Sequence, residues 1–325
     1  MSPCRRILFA CLATALLSGF AAPLSAFPDK PIDYIIPFGP GGESDITARL
    51  QQPFFKDKFN VDLNISYMPG RGGALGWSKL NEFPADGHTI MGVNLPHIVL
   101  QPIKGSVDYK TEELSTIYWF HFTPDAIVVK SDSPFKTLQE LIDYARENAG
   151  KVSFSGTGRA SANHLAQLRF DRLAGIETSY VPMKGSGASL TALIGEQVNA
   201  AWGYTTSAVE FGDKVRLLAV ATEARHPNYP DTPTFKELGI DLVSGAYRGI
   251  AVPASTPEPV KKKLSDLIGQ VNADPDFQSR MISSGFALID IPYEKCESFV
   301  ESHAAKFIEA AKQANILDKD APSPP

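Results

Sequence analysis

Residues 32–50 read IDYIIPFGPGGESDITARL, and this stretch decides the fold. Residues 32–36 form an apolar run typical of a strand. The next six residues contain two prolines and three glycines, which predict a turn. Ser44 and Asp45 then stand where a helical pattern begins. The stretch therefore predicts a strand that leads into a helix through a glycine-rich turn.

This turn has the chemistry of an anion site. The first turn of a helix leaves backbone N–H groups without intrahelical partners and carries the positive end of the helix dipole. Because Gly41 and Gly42 have no side chains, a carboxylate or phosphate could approach the main chain directly. An ordinary connection between strand and helix, in which the glycines only make the turn, remains the alternative for a single loop of this kind.

The first 26 residues are expected to be a secretory signal peptide. Arg5 and Arg6 precede an apolar run at 7–22, and small residues end the segment. Lipoprotein anchoring through Cys11 is disfavoured, because almost no apolar segment would precede that cysteine. Since no later apolar run is long enough to span a membrane, we expect an exported, soluble protein.

Size and charge narrow the class of protein further. The chain has 325 residues, and without the leader about 300 remain, a length that usually divides into two lobes. Removing Arg5 and Arg6 with the leader changes the net charge from −5 to −7, which disfavours nucleic acid or an anionic membrane as a partner. Only Cys296 remains outside the leader, so no internal disulfide can form.

Strands alternate with helices along the rest of the chain, which predicts an α/β fold with mainly parallel sheets. The first helix is expected to end near Gln52, because Pro53 follows. Residues 117–129 contain another predicted strand. A second strand, glycine loop and helix unit begins at 151, and its loop consists of Gly156, Thr157, Gly158, Arg159, Ala160 and Ser161.

Taken together, these segments resemble the periplasmic substrate-binding receptors of tripartite tricarboxylate transporters, the Bug family. The resemblance covers nearly the whole chain after the leader, in the family's order. It is carried by FPDKPIDYIIPFGPGGESDITARL (27–50), MPGRGGALG (68–76), PADGHTIM (84–91), GTGRASANHLA (156–166) and GIETSYVPMKGSGASLTALIGEQVNAAW (175–202), followed by VRLLAVAT, PDTPTFKELGI and GIAVPASTPEPV.

The resemblance implies a two-lobed periplasmic-binding-protein fold of the Venus flytrap kind, similar to type II, with a hinge that the chain crosses twice. The first lobe is expected to comprise residues 27–128 and 250–325, and the second residues 129–249. In this family a ligand carboxylate is held largely by backbone amides of two glycine loops. The matching positions are Phe38, Gly41, Gly42, Glu43, Ser44 and Asp45 in the first loop, and Gly156 to Ser161 in the second.

Other side chains stand at the ends of predicted strands, where the far end of a ligand could reach them. They are Asn94, Tyr204, Thr205 and Arg248, with ordinary loop packing as the alternative. Arg159 or Arg248 could pair with a second carboxylate, or either could be a surface arginine. Ser44 and Asp45 could act mainly as helix N-caps.

Glu43 departs from the family, which usually has Gly, Ser or Thr at this position. An acid beside an anion site is unfavourable unless it faces solvent, caps its own helix or recognises a cationic part of the ligand. A capping or solvent-facing role is favoured at this stage.

The function implied by the resemblance is capture of a small carboxylate, most simply a di- or tricarboxylate, by a monomer that passes it to the large and small subunits of a membrane transporter. A sensor kinase ectodomain is the alternative partner. An α/β enzyme is a weaker alternative, because the sequence has no P-loop, GxGxxG or GxSxG motif. The six histidines lack metal-ligand spacing, so no catalytic residue, metal or cofactor is expected.

Overall fold

The structure is a computed structural model, and it describes residues 27–105 and 107–316. The predicted signal peptide and the Cys11 alternative lie outside the described residues. Within the described part of the chain, no helix is long and apolar enough to cross a membrane.

Ten strands and ten α-helices follow one another along the described chain, in alternation up to β8. The strands are β1 (Ile32–Ile36), β2 (Leu63–Tyr67), β3 (Thr89–Leu95), β4 (Ser115–Lys130), β5 (Ser153–Gly156), β6 (Ser179–Pro182), β7 (Ala200–Tyr204), β8 (Val215–Val220), β9 (Gly245–Val252) and β10 (Ala287–Pro292). The helices are α1 (Glu43–Phe59), α2 (Ala74–Lys79), α3 (His97–Lys104), α4 (Leu138–Glu147), α5 (Ala162–Ala174), α6 (Ser186–Ile194), α7 (Ser207–Phe211), α8 (Glu258–Asn272), α9 (Pro275–Ser283) and α10 (Tyr293–Gln313).

Helix α1 runs through Pro53 to Phe59, so the prediction that it ends near Gln52 is wrong. A proline inside a helix removes one backbone hydrogen bond. Here the turns after Pro53 bury Phe55 in the core and pack α1 against α8 and α9. This tertiary packing outweighs the local cost of the proline.

The first sheet has the order β2-β1-β3-β9-β4-β10. Strand β1 runs parallel to β2 and β3, whereas β9 is antiparallel to both β3 and β4. Its apolar core contains the fully buried side chains of Trp77, Trp119 and Phe277. The parallel strands place their carboxyl ends, and the glycine loop after β1, at one edge of the sheet.

The second sheet has the order β8-β4-β7-β5-β6. Strand β5 is parallel to β6 and β7, and β4 is antiparallel to β7 and β8. A separate core of stacked rings, including Phe154, Trp202 and Phe235, lies on one face. Two cores on two sheets give the chain its two lobes.

Both sheets are mixed, so the expectation of mainly parallel sheets is corrected. The antiparallel pairs come from the strands that connect the lobes. Residues of β4 up to Pro124 pair in the first sheet, and those from Asp125 pair in the second. Strand β9 begins at Gly245, where the chain returns to the first sheet. The lobe boundaries at 128 and 249 stay a prediction, and the change of sheet lies a few residues earlier in each case.

Asp125 joins the two segments that connect the lobes. Its carboxylate accepts hydrogen bonds from Ser244 Oγ at 2.8 Å and from Asn163 Nδ2 at 2.8 Å. The backbone N–H of Asp125 also donates to the carbonyl of Ser244 at 3.0 Å. Burial raises the pKa of Asp125 from 3.8 to about 7, although both hydrogen bonds oppose the shift. An ionisable group is thereby fixed at the connection between lobes.

We expect the Asp125→Asn substitution to change how stability depends on pH. The folded protein keeps the Asp125 proton between pH 3.8 and about 7, where the unfolded chain has lost it. The contribution of Asp125 to the free energy of unfolding therefore falls as the pH rises through this window, by a few kcal/mol at most.

The measurement is the midpoint of thermal unfolding of both proteins between pH 4 and 8. The variant should become progressively more stable than the wild type up to about pH 7, and the difference should then level off. A difference that stays constant across the series would contradict the raised pKa.

Candidate functional site

The glycine loop between β1 and α1 touches the second lobe directly. The N–H of Gly39 donates to the carbonyl of Lys184 at 2.9 Å, and the N–H of Glu43 donates to Ser186 Oγ at 3.1 Å. Lys184 lies in the turn that leads into α6, and Ser186 is the first residue of that helix. The first loop therefore faces the start of α6, and the cleft between the lobes is closed at this point.

The second glycine loop makes a different contact across the cleft. Gly158 lies against Gly72 so closely that a Cβ atom on Gly158 would be 2.7 Å from Gly72 Cα. Two amides of this loop bond to α5, because Thr157 N donates to Asn163 Oδ1 and Ala160 N donates to His164 Nδ1. These two amides are therefore not free for a ligand in the closed arrangement.

A small cavity of about 10 Å³ remains between the lobes, enough for about one water molecule. Its walls come from the first glycine loop, the ends of β3 and β7, the second glycine loop, the starts of α3 and α6, and β9. The lining residues are Phe38, Gly42, Glu43, Ser44, Asn94, His97, Thr157, Ser186, Tyr204 and Arg248.

Arg248 is the cationic side chain of this cavity, and only 3% of it is exposed. Its Nη1 donates to Thr123 Oγ1 at 2.9 Å, and its guanidinium carbon lies 4.7 Å from the centre of the Tyr204 ring. Arg248 lies on β9, shortly after Gly245, where the chain returns from the second lobe. The alternative of a surface arginine is therefore wrong for Arg248.

Glu43 faces Arg248 across the cavity and is also only 3% exposed. Its Oε2 lies 3.4 Å from Arg248 Nη1, and its Oε1 accepts a hydrogen bond from Thr206 Oγ1 of the second lobe. The expectation of a solvent-facing role is wrong, because these partners are distant in sequence and enclose the side chain. As the first residue of α1, Glu43 also lies at the favourable end of the helix dipole.

Burial dominates the electrostatics of the site. It raises the pKa of Glu43, and the positive charge of Arg248 opposes that shift. Burial, followed by the same arginine, lowers the pKa of His97 to about 3, so His97 is neutral at pH 7. Arg248 is permanently charged, and its Nη1, 3.4 Å from Glu43 Oε2, favours the ionised form of that carboxyl against the effect of burial.

Several buried polar atoms of the cavity have no hydrogen-bond partner among the described residues. Buried polar atoms are normally paired, so a group of unpaired ones around one space indicates a site for a polar ligand. The atoms are Glu43 Oε2, Asn94 Oδ1, both ring nitrogens of His97, Tyr204 Oη and Arg248 Nε.

Half of the residues expected at the site line this cavity. They are Phe38, Gly42, Glu43, Ser44, Asn94, Thr157, Tyr204 and Arg248. The structure places the other half outside its lining: Gly41, Asp45, Gly156, Gly158, Arg159, Ala160, Ser161 and Thr205.

Some of the residues outside the cavity have structural partners. Asp45 accepts from the N–H of Gly41 at 2.8 Å and from Tyr67 Oη at 2.8 Å. Ser161 caps α5 by accepting from His164 N, and Thr205 Oγ1 donates to the carbonyl of Gly285. The N-cap of α1 is Gly42 and no side chain caps this helix, so the expectation that Ser44 and Asp45 act mainly as N-caps is wrong; Asp45 instead holds the loop and Tyr67 in place.

Arg159 lines a separate and larger cavity of about 560 Å³. Gly158, Ala160, Arg71, Lys104 and Lys184 share this cavity. The structure therefore separates the two arginines that were candidates for a second carboxylate: Arg248 lies in the cleft cavity and Arg159 does not.

Two lining residues were not expected from the sequence, His97 and Ser186. Ser186 lies in the segment KGSG at 184–187, a glycine-containing turn before a helix that resembles the first loop in design. This pattern could have identified Ser186 as a candidate site residue from the sequence alone. His97 follows the end of β3 at the start of α3, and only its position three residues after Asn94 pointed to the cleft.

The fold and the cavity agree with what comparison with known proteins finds. The family model of the tripartite tricarboxylate transporter family receptor matches residues 48–316. The chain belongs to this family. Like its relatives, this receptor is a periplasmic solute-binding protein with a two-lobed binding-protein fold, and it is not an enzyme.

Individual relatives extend the similarity over most of the receptor. A UPF0065 protein from the tcbD-tcbE intergenic region of Pseudomonas sp. strain P51 is 30% identical over 272 residues, 82% of this chain and 80% of that protein. The periplasmic binding protein BugD has a TM-score of 0.84 at 26% identity, over 89% of this chain and 99% of BugD. Rpa4515 of R. palustris, solved with adipate, has a TM-score of 0.84 at 22% identity, over 89% and 98% of the two chains.

We expect Gly187→Ala to hinder closure of the receptor. A Cβ atom on Gly187 would lie 2.5 Å from the carbonyl oxygen of Gly41 in the other lobe. Gly187 lies inside α6, where alanine is the better helix former by about 1 kcal/mol, so the second lobe itself should not be destabilised. Overpacking of this kind costs about 1–3 kcal/mol, which would fall on the closed arrangement alone.

Small-angle X-ray scattering measures the effect as a larger radius of gyration than that of the wild type, with an unchanged or higher unfolding midpoint. Gly269→Ala is the matched control, because Gly269 lies inside α8 and its added Cβ would be 3.4 Å from the Tyr118 side chain, an ordinary contact. Identical scattering of the Gly187 variant and the control would show that this contact does not limit closure.

Proposed function

We propose that this receptor captures a small carboxylate between its lobes and delivers it to the membrane subunits of a tripartite tricarboxylate-type transporter. The observation that carries the proposal is the position of Arg248. It is a buried, permanently charged group with an unpaired Nε at the edge of a polar cavity in the cleft. A carboxylate is the ligand group that suits a guanidinium best.

Main-chain groups of the first loop support the same ligand chemistry. Gly42 and Ser44 line the cavity at the N-terminus of α1, where helix amides lack intrahelical partners and attract an anion. The proposal also includes the second glycine loop, of which Thr157 lines the cavity. The amides that Thr157 and Ala160 use within that lobe would have to rearrange before they could bind a ligand.

The strength of such contacts is sufficient for a transport receptor. A hydrogen bond that involves a charged group contributes roughly 1.5–3 kcal/mol, and micromolar affinity requires about 8 kcal/mol. Several such hydrogen bonds together contribute more than this binding free energy, and the cost of ordering the ligand and the lobes is then subtracted from their sum. No covalent step is needed.

Family membership and one structural neighbour are consistent with a carboxylate ligand. Rpa4515 is described with adipate, a dicarboxylate, but at 22% identity its likeness to this chain concerns the fold. If the ligand here is a di- or tricarboxylate, we assign its contact with a guanidinium to Arg248, because Arg159 lies outside the cavity.

The test is isothermal titration of the receptor with mono-, di- and tricarboxylates, each repeated on Arg248→Gln and Arg159→Gln. We expect micromolar binding of at least one carboxylate by the wild type. Loss of the Arg248 charge should weaken it by about tenfold or more, since a charged hydrogen bond is lost. Arg159→Gln is the matched control and should bind like the wild type.

Arg248→Gln leaves Glu43 without its cationic neighbour, so its unfolding midpoint must be measured alongside. If Arg248→Gln is unstable, Arg248→Lys is the alternative test, because it keeps the positive charge. It should bind the carboxylate more weakly than the wild type, since lysine lacks the planar guanidinium that forms two parallel hydrogen bonds. The proposal is wrong if no carboxylate binds, or if the Arg159 variant loses as much affinity as the Arg248 variant.

A further inference from the structure

The cavity contains the carboxylate of Glu43, which would repel a simple anion. Glu43 and Arg248 are each 3% exposed, so neither charge is screened by bulk water. Their charges cancel, which leaves the lining of the cavity without net charge. A dicarboxylate placed there would add two buried negative charges with no new cation to balance them.

The carboxylate of Glu43 is held in the cavity from both sides of the cleft. Its Oε1 accepts from Thr206 Oγ1, and its own backbone N–H donates to Ser186 Oγ at 3.1 Å. Glu43 also begins α1, so its backbone is fixed by the helix. In the closed arrangement, turning the Glu43 side chain out of the cavity would break its contact with Thr206 of the other lobe.

The free atom of this carboxylate is an acceptor. Glu43 Oε2 has no hydrogen-bond partner among the described residues, and its nearest cation, Arg248 Nη1, is 3.4 Å away. Asn94 Oδ1, a second lining atom, is also unpaired, although an amide can turn either way. A ligand carboxylate has only acceptors and cannot satisfy Glu43 Oε2, whereas an ammonium group has three donors and a positive charge.

We propose that Glu43 is the counter-ion of an ammonium group, so that the preferred ligand is a small amino carboxylate. Its carboxylate faces Arg248 and the N-terminus of α1, and its ammonium group faces Glu43 Oε2. The inference rests on the proposed function, because it assumes that the cavity takes a carboxylate, and it specifies the rest of the ligand.

Charge balance supports this ligand class over the alternatives. A zwitterion adds no net charge to the neutral pair of Glu43 and Arg248, and it supplies each member with an opposite charge. A monocarboxylate without an amine would satisfy Arg248 and leave Glu43 Oε2 unpaired, which is costly for a buried charged group. A dicarboxylate would in addition place like charges next to each other.

The test compares ligands that differ in one group. Alanine and propanoate differ only by an ammonium group, and 4-aminobutanoate and glutarate differ by the exchange of ammonium for carboxylate. By isothermal titration at pH 7, we expect the amino member of at least one pair to bind at least about tenfold more tightly, the value of one charged hydrogen bond.

Glu43→Gln should remove this preference, by weakening the amino ligand about tenfold or more and by leaving the matched acid unchanged or improved. Glu210→Gln is the control. Glu210 is an acid on α7 that does not line the cavity, and burial, followed by the charge of Glu43, raises its pKa. It is therefore an acid near Glu43 but outside the cavity lining, and its removal should leave the preference intact. If Glu43→Gln proves unstable, Glu43→Asp is the alternative test. It keeps the charge, so the amino ligand should still bind more tightly than the matched acid.

The outcomes separate this inference from the proposed function. If dicarboxylates bind at least as tightly as their amino counterparts and Glu43→Gln does not weaken the amino ligands, the counter-ion role is wrong and carboxylate capture stands. Equal weakening of both ligand classes by Glu43→Gln would also overturn it, because it would assign Glu43 to closure alone. Absence of binding by every ligand, including the wider carboxylate panel, would overturn both.

Discussion

Arg248 carries a permanent positive charge into the closed cleft, and the arrangement of the site depends on how that charge is compensated. Thr123 accepts a hydrogen bond from it, the face of Tyr204 covers it, and Glu43 lies opposite. These partners come from both lobes and from the first turn of α1. Because an uncompensated buried charge is costly, the pair favours the approach of the lobes as well as the composition of the cavity.

Close approach of main chains makes this compensation possible. Gly39 bonds to the turn before α6 and Glu43 to the first residue of α6, and Gly158 meets Gly72 with no room for a side chain. Each contact joins one lobe to the other, so the glycines serve closure as much as anion binding. At the connection itself, Asp125 holds the two crossing segments together through Ser244. Asn163 links the two regions, because it accepts from the N–H of Thr157 in the cleft and donates to the carboxylate of Asp125 at the connection.

Local patterns predicted the elements of the fold, and distant contacts decided the site. The apolar run at 32–36 and the glycines after it indicated β1 and the start of α1, because strand and turn preferences act over a few residues. Pro53 misled the prediction for the same reason, since the packing that holds α1 together comes from other helices. The sequence identified both glycine loops, yet it could not indicate that the first one meets residues 184–187. Glu43 was expected to cap its helix or to face solvent, and both expectations are wrong because its partners, Thr206 and Arg248, are about 160 to 200 residues away in sequence.

An acid inside an anion-binding cleft is best understood as a means of exclusion. On the proposed function, the main-chain amides and Arg248 would attract any carboxylate, so on their own they would discriminate weakly among metabolites that share this group. The carboxylate of Glu43, next to Arg248 and at the start of α1, would disfavour a second negative charge on the ligand and favour a positive one. Specificity is a difference between affinities, and repulsion of the wrong ligand contributes to it as much as attraction of the right one. On this argument, Glu43, the residue at which the first loop was expected to differ from the family pattern, would give the cleft its selectivity.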